Sequence, residues 1–158
     1  MKELKVTWPK ILATIALSII ITSIFFFAIP YYNGIVLRRK FHRLRFSLRL
    51  LWTYYQVDVY LEAHEIARDG IIQQNEVERL NLVLNRLNQT MLTIKTILKE
   101  FRLLIDETKD AYFYWPNYLQ EFEEFSDEID AFLTDIAQLI EELRAASNEI
   151  KIVLPEVG

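Results

Sequence analysis

Two ladders of nine apolar residues, each stepping alternately by three and four, constrain this chain more than any other feature. The first is Val77, Leu80, Leu84, Leu87, Met91, Ile94, Leu98, Phe101 and Ile105, and the second is Phe122, Phe125, Ile129, Phe132, Ile136, Leu139, Leu143, Ala146 and Ile150. A 3-4 alternation held over about four heptads is the seam pattern of helices packed nearly parallel or antiparallel. The fold class expected is therefore all-α. Composition agrees, since 3 Gly and 4 Pro in 158 residues are too few for a β protein that must turn about every eight to twelve residues.

Every Gly and Pro falls at a boundary: Pro9, Pro30, Gly34, Gly70, Pro116, Pro155 and Gly158. Residues 30–34 are expected to break or kink the chain, after which three helices are expected over about 35–68, 76–109 and 118–151, followed by a tail at 152–158. In the first helix Leu37, Phe41, Leu44, Leu48, Leu51 and Tyr55 carry the stripe. Its phase slips at Asp58, and Val59, Ala63 and Ile66 carry it onward, the mark of a stutter. Asn75 with Glu78, and Asn117 with Gln120, read as capping boxes that open the second and third helices. Each helix is then about 50 Å long, and such short connections make neighbours antiparallel. The pattern implies a three-helix antiparallel coiled-coil-like bundle with a distal turn at 69–74 and a second turn at 112–116.

Ahead of the bundle, residues 11–29 are uncharged and apolar, about 28 Å of helix and close to the hydrocarbon thickness of a bilayer. One transmembrane anchor is expected over 11–30 behind a short tail at 1–10. Trp8 on one side and Tyr31 and Tyr32 on the other stand where aromatic rings favour the headgroup layer. A cleaved signal peptide is the rival, but the run is longer than a usual h-region, and Phe25, Phe26 and Phe27 offer no small-residue cleavage site. Lys2, Lys5 and Lys10 precede the anchor, while Arg38, Arg39, Lys40, Arg43, Arg45 and Arg49 follow it, and this bias places the bundle in the cytoplasm.

The net charge of −4 conceals an opposition between those basic residues and an acidic stretch at Glu121, Glu123, Glu124, Asp127, Glu128 and Asp130. If the first and third helices are parallel, the two stretches lie level. The basic residues are then expected to contact anionic headgroups or to pair with the third helix, rather than to track nucleic acid. The same geometry returns Tyr112, Tyr114 and Trp115 to the bilayer surface. There they either insert as a membrane-interface loop or cap the bundle end as a small core.

No catalytic constellation stands out. Without Cys there is no disulfide, thiolate or cysteine metal site. His64 beside Glu65 lacks the second His of a zinc helix, because Arg68 stands four residues on. No glycine-rich phosphate loop is present, and no cofactor, metal or small-molecule substrate is expected. Leftover apolar residues are more informative. Phe46, Leu50, Trp52, Val57 and Tyr60 lie off the main stripe of the first helix, and Val83, Ile97 and Leu104 flank that of the second. Part of this surface belongs to a broad core and part to an association face. Phe46, Leu50, Trp52, Val57 and Asp58 are the partner-binding candidates, for another protein or a second copy.

Tyr32-Asn33-Gly34-Ile35-Val36, leading into a long helix with Arg39 and Phe46-Ser47, resembles the start of LemA-family proteins. The resemblance implies an N-terminal span and a cytoplasmic bundle of long antiparallel helices, and it implies no activity. The function expected is that of a non-enzymatic, single-pass membrane scaffold or accessory subunit. A membrane-anchored sensor module that shifts register at Asp58, and a lipid-binding remodelling protein using the aromatic loop, are the alternatives.

Overall fold

The computed structural model describes residues 8–68, 70–109 and 115–147. All regular structure among them is helical. One uninterrupted helical path comprises α1 (Trp8–Ser23), a π turn (Ile24–Ala28), α2 (Ile29–Tyr54), a second π turn (Tyr55–Tyr60) and α3 (Leu61–Ala67). A 3-10 turn (Gln74–Glu76) then leads into α4 (Val77–Thr108), and α5 spans Tyr118–Ala146. Lys2, Lys5, Asp69, Tyr112, Tyr114, Ile150 and the 152–158 tail lie outside the described residues, as does the Lys10 side chain.

The expected break at 30–34 does not occur. Pro30 occupies the first turn of α2, and Gly34 is buried within that helix. In a regular α-helix the Pro30 ring would press on the carbonyl of Phe26. The wider turn directly ahead of it, where the Ile29 N–H donates to the Ile24 carbonyl five residues back, accommodates the ring while the helical path continues. The apolar α1 is consequently continuous with the helix that enters the core. None of its apolar side chains is covered by the rest of the protein, and the continuous helix from Ile11 to Ala67 is, by length and composition alone, long and apolar enough near its start to cross a membrane.

The phase slip expected at Asp58 is the second π turn. Tyr55, Val59 and Ala63, spaced four and four, are all fully buried, which a uniform 3-4 seam would not achieve. The Leu61 N–H donates to the Gln56 carbonyl, so one extra residue is accommodated within a single turn. Leu37, Phe41, Leu44 and Leu48 above it, and Ile66 below it, therefore face the same core.

The connections differ in detail from expectation. Gly70, at φ +72, ends the first helical path with its N–H on the Ala67 carbonyl, a left-handed position that favours glycine. The capping box is Gln73 with Glu76 rather than Asn75 with Glu78. The Ile72 N–H donates 3.1 Å to the Ala146 carbonyl, tying the distal turn to the last turn of α5. Asn117 holds the N-cap position of α5 without a side-chain bond.

Helix directions follow from the contacts. Lys40 meets Glu107 at 2.8 Å, while Arg79 meets Glu62 and Glu65 at 2.7 Å, so α4 runs antiparallel to the first path. The second ladder is buried from Phe122 to Ala146. Along α4, Leu80, Leu87, Met91, Ile94 and Phe101 are buried as expected, but Val83, Ile97 and Leu104 are buried more completely than Leu84, Leu98 and Ile105. A helix touching two neighbours needs this wider face.

Candidate functional site

Along α2, Arg38, Arg45 and Trp52 stand one heptad apart, and each reaches a carboxylate of α5. Arg38 lies 3.6 Å from Glu121, Arg45 binds Glu128, and the Trp52 indole N–H donates 3.2 Å to Asp135. Each pair is separated by 83 residues, so α2 and α5 run parallel in a fixed register over two heptads. The centre of this ladder is its strongest part. The Arg45 Nε is 3.0 and 3.2 Å from the two Glu128 oxygens, a second guanidinium nitrogen is at 2.6 Å, and Arg49 adds a bond of 2.7 Å to the same carboxylate. Such a bidentate, partly sheltered pair exceeds the roughly 0–1 kcal/mol of an exposed ion pair.

Burial pulls the Glu128 carboxyl upward, but the hydrogen bonds from Arg45 and Arg49 and their charges outweigh it, leaving its pKa below the ordinary value. The Glu128 hydrogen bond correspondingly raises Arg45. A depressed carboxylate stabilises the fold above its unfolded pKa, and that contribution is lost as pH falls through the lower, folded value. Thermal melts from neutral to acid pH are expected to show Glu128→Gln less stable than the parent at neutral pH. The two curves should converge at acid pH, and a constant gap would remove Glu128 from the acid response.

A second polar cluster surrounds the π turn. The Tyr55 hydroxyl donates 3.1 Å to the Asp135 carbonyl, the Gln56 amide donates 3.3 Å to its carboxylate, and Trp52 stacks on Phe132 at 5.2 Å. Burial raises the Tyr55 phenol well above its ordinary pKa, and the Asp135 charge adds to this. On the other flank Arg86 donates 3.0 Å to the Asp58 carbonyl. Trp52 is thus occupied inside the protein and is withdrawn from the partner-binding set. Asp58 is half-buried, with its backbone used internally. Asp135 and Arg86 were not among the candidates. Asp135 was findable as the third acidic residue on the heptad line of Glu121 and Glu128, whereas a carbonyl partner for Arg86 leaves no mark in a sequence.

Of the two places expected for Trp115, a membrane contact and a core at the bundle end, the structure has the second. Trp115 is 2 % exposed, packs edge-on to Phe41 at 5.3 Å and Phe122 at 5.4 Å, and donates its indole N–H 3.0 Å to Glu121. Its ring closes an aromatic cluster that includes Phe101 and Phe125. Trp8, Tyr31 and Tyr32 are exposed at the two ends of the apolar run.

The outer face of α2 holds what remains. Phe46, Leu50 and Val57 are 63, 55 and 58 % exposed and lie on one side of the helix, below Arg39 and Arg43. Arg38, Lys40, Arg45 and Arg49 all engage carboxylates within the protein, while Arg39 and Arg43 have no ion pair among the described residues. His64 stacks on Tyr60, with Nδ1 3.9 Å from Glu142, and no group of His, Asp and Glu among the described residues has the arrangement of a metal site. Compared with known proteins, the chain matches no family model, no curated protein sequence and no solved structure.

Proposed function

We propose that this chain is a single-pass membrane protein whose helices form a three-helix antiparallel bundle beside the bilayer, and that it acts without catalysis as a scaffold or accessory subunit. The observation that carries this reading is the unbroken helical path from the uncovered apolar α1 into α2. A partner seated on the exposed outer face of α2 would be held at a set height and orientation over the membrane. Trp8 lies about 34 Å along the helix from Tyr31, a separation that suits two headgroup layers. The basic residues after the span favour a cytoplasmic bundle. The likeness of residues 32–47 to LemA-family proteins belongs to the same proposal, as it concerns topology alone.

A sensor module is the second reading, favoured by the π turn at Tyr55–Tyr60, where one extra residue is stored between two α-helical segments. Extraction of native membranes at alkaline pH, followed by mild-detergent purification, tests the main reading. The chain is expected to stay with the membrane and to purify at a defined multiple of 18.8 kDa or with a stoichiometric partner. Release into the supernatant would sink the membrane reading, and a solitary monomer would sink the scaffold reading.

A further inference from the structure

Each outward helix face has a distinct character. That of α4 carries the exposed amides Asn81, Asn85, Asn88 and Gln89 toward its start and exposed Leu92, Lys95, Lys99 and Arg102 farther along. That of α5 begins with Glu123, Asp127 and Asp130, all exposed and without an ion pair among the described residues. Beyond them it continues with the small, exposed residues Ala131, Thr134 and Ala137. The α2 face begins with Arg39 and Arg43 and continues with Phe46, Leu50 and Val57.

The two faces match in height as well as in sign. The 83-residue register of α2 on α5 sets Arg39 and Arg43 level with positions 122 and 126, flanked by Glu123 and Asp127. The same register sets Leu50 level with position 133, between Ala131 and Thr134. Arg45 and Arg49 also reach back to Glu124 and Glu128, 79 residues on, so heights are matched to within one helical turn, and Val57 stands within that turn of Ala137. Bulky side chains thus lie at the height of short ones, and free arginines at the height of free carboxylates.

We propose that copies of this chain associate side by side in one membrane, with the outer face of α2 on one copy seated against the outer face of α5 on the next. This rests on the membrane-anchored reading, because a shared bilayer gives every copy the same orientation and height and removes much of the entropy cost of association. Two α2 faces meeting each other would instead bring Arg39 and Arg43 against their own counterparts. The contact is heterologous, so it propagates around an axis normal to the membrane and closes into a ring when the rotation permits.

The absence of cysteine makes the test direct. Two differently tagged full-length chains, one carrying Leu50→Cys and the other Thr134→Cys, are co-expressed, and native membranes are treated with an oxidant or a short bis-maleimide. A crosslink joining the two tags is expected. Arg39→Glu with Arg43→Glu in the first chain should weaken it by about tenfold, and Glu123→Lys with Asp127→Lys in the second should restore it. Membrane-located chains that fail to crosslink, or a Leu50→Cys chain that crosslinks only to itself, would overturn the proposal. So would charge reversal that leaves the crosslink intact while abolishing binding to anionic-lipid vesicles, since the arginines would then face lipid. Chains recovered from the soluble fraction would refute the membrane reading itself and remove the ground on which the proposal stands.

Discussion

Replacing Trp115 by Ala is expected to lower the stability of the bundle by about 3–5 kcal/mol, the usual loss when a large aromatic leaves a closed core. On a domain of this size that corresponds to a fall in Tm of roughly 10–20 °C, read by circular dichroism on the detergent-solubilised full chain. The magnitude follows from the position of the ring, which touches Phe41, Tyr118 and Phe122 and supplies a hydrogen bond to Glu121. Truncation leaves those rings lining a void and removes a donor from a carboxylate that also faces Arg38. Trp115→Phe keeps most of the apolar contact and loses the N–H, so its cost should be nearer 1–2 kcal/mol. If Trp115→Ala left Tm unchanged and instead weakened vesicle binding, the ring would be a membrane contact after all.

Single-residue deletions should separate sharply according to where they fall. Removing Val57, an exposed residue of the π turn, takes out the one residue by which this segment exceeds the heptad rule. Val59, Ala63 and Ile66 would then follow Tyr55 at three, seven and ten residues, a regular 3-4 seam with every core side chain still inward. That variant should fold and melt within a few degrees of the parent, having lost chiefly the Arg86 bond to the Asp58 carbonyl. Removing the equally exposed Leu92 of α4 has no such compensation, because no π turn follows it in its helix. Every later side chain of α4 rotates by about 100°, carrying Ile94, Ile97, Phe101 and Leu104 out of the core. At about 1.5–3 kcal/mol for each large apolar side chain, the loss rivals the 5–15 kcal/mol typical of a whole domain, so the cooperative transition should disappear. Equal behaviour of the two deletions would refute this account of the π turn.

Much of this architecture is legible in the chain because helical periodicity is a local property. The buried run from Phe122 to Ala146 matches its ladder throughout, and the slip at Asp58 was visible as a change of spacing before it took physical form as a π turn. The opposition of Arg38, Arg45 and Arg49 to Glu121, Glu124 and Glu128 was legible as well, since parallel helices of known start must bring those segments level. What was not legible has a different origin. Pro30 and Gly34 were expected to break or kink the chain, but a wider turn just ahead of Pro30 accommodates its ring and the helical path continues. For Trp115 insertion at the bilayer and a core at the bundle end were both open, and packing decided between them, because Phe41, Phe101 and Phe122 leave a site its ring fills.

The sequence by itself determined the all-α class, the apolar span, the phase of each seam and the charge carried by each helix, because these depend on side-chain type at fixed helical spacing. Only the tertiary structure decided which of several similar apolar residues closes the core, which carboxylate each arginine takes, and which face of α2 stays open. Those choices depend on the distance between helices and their rotation about their axes, and both arise only when all the helices pack at once.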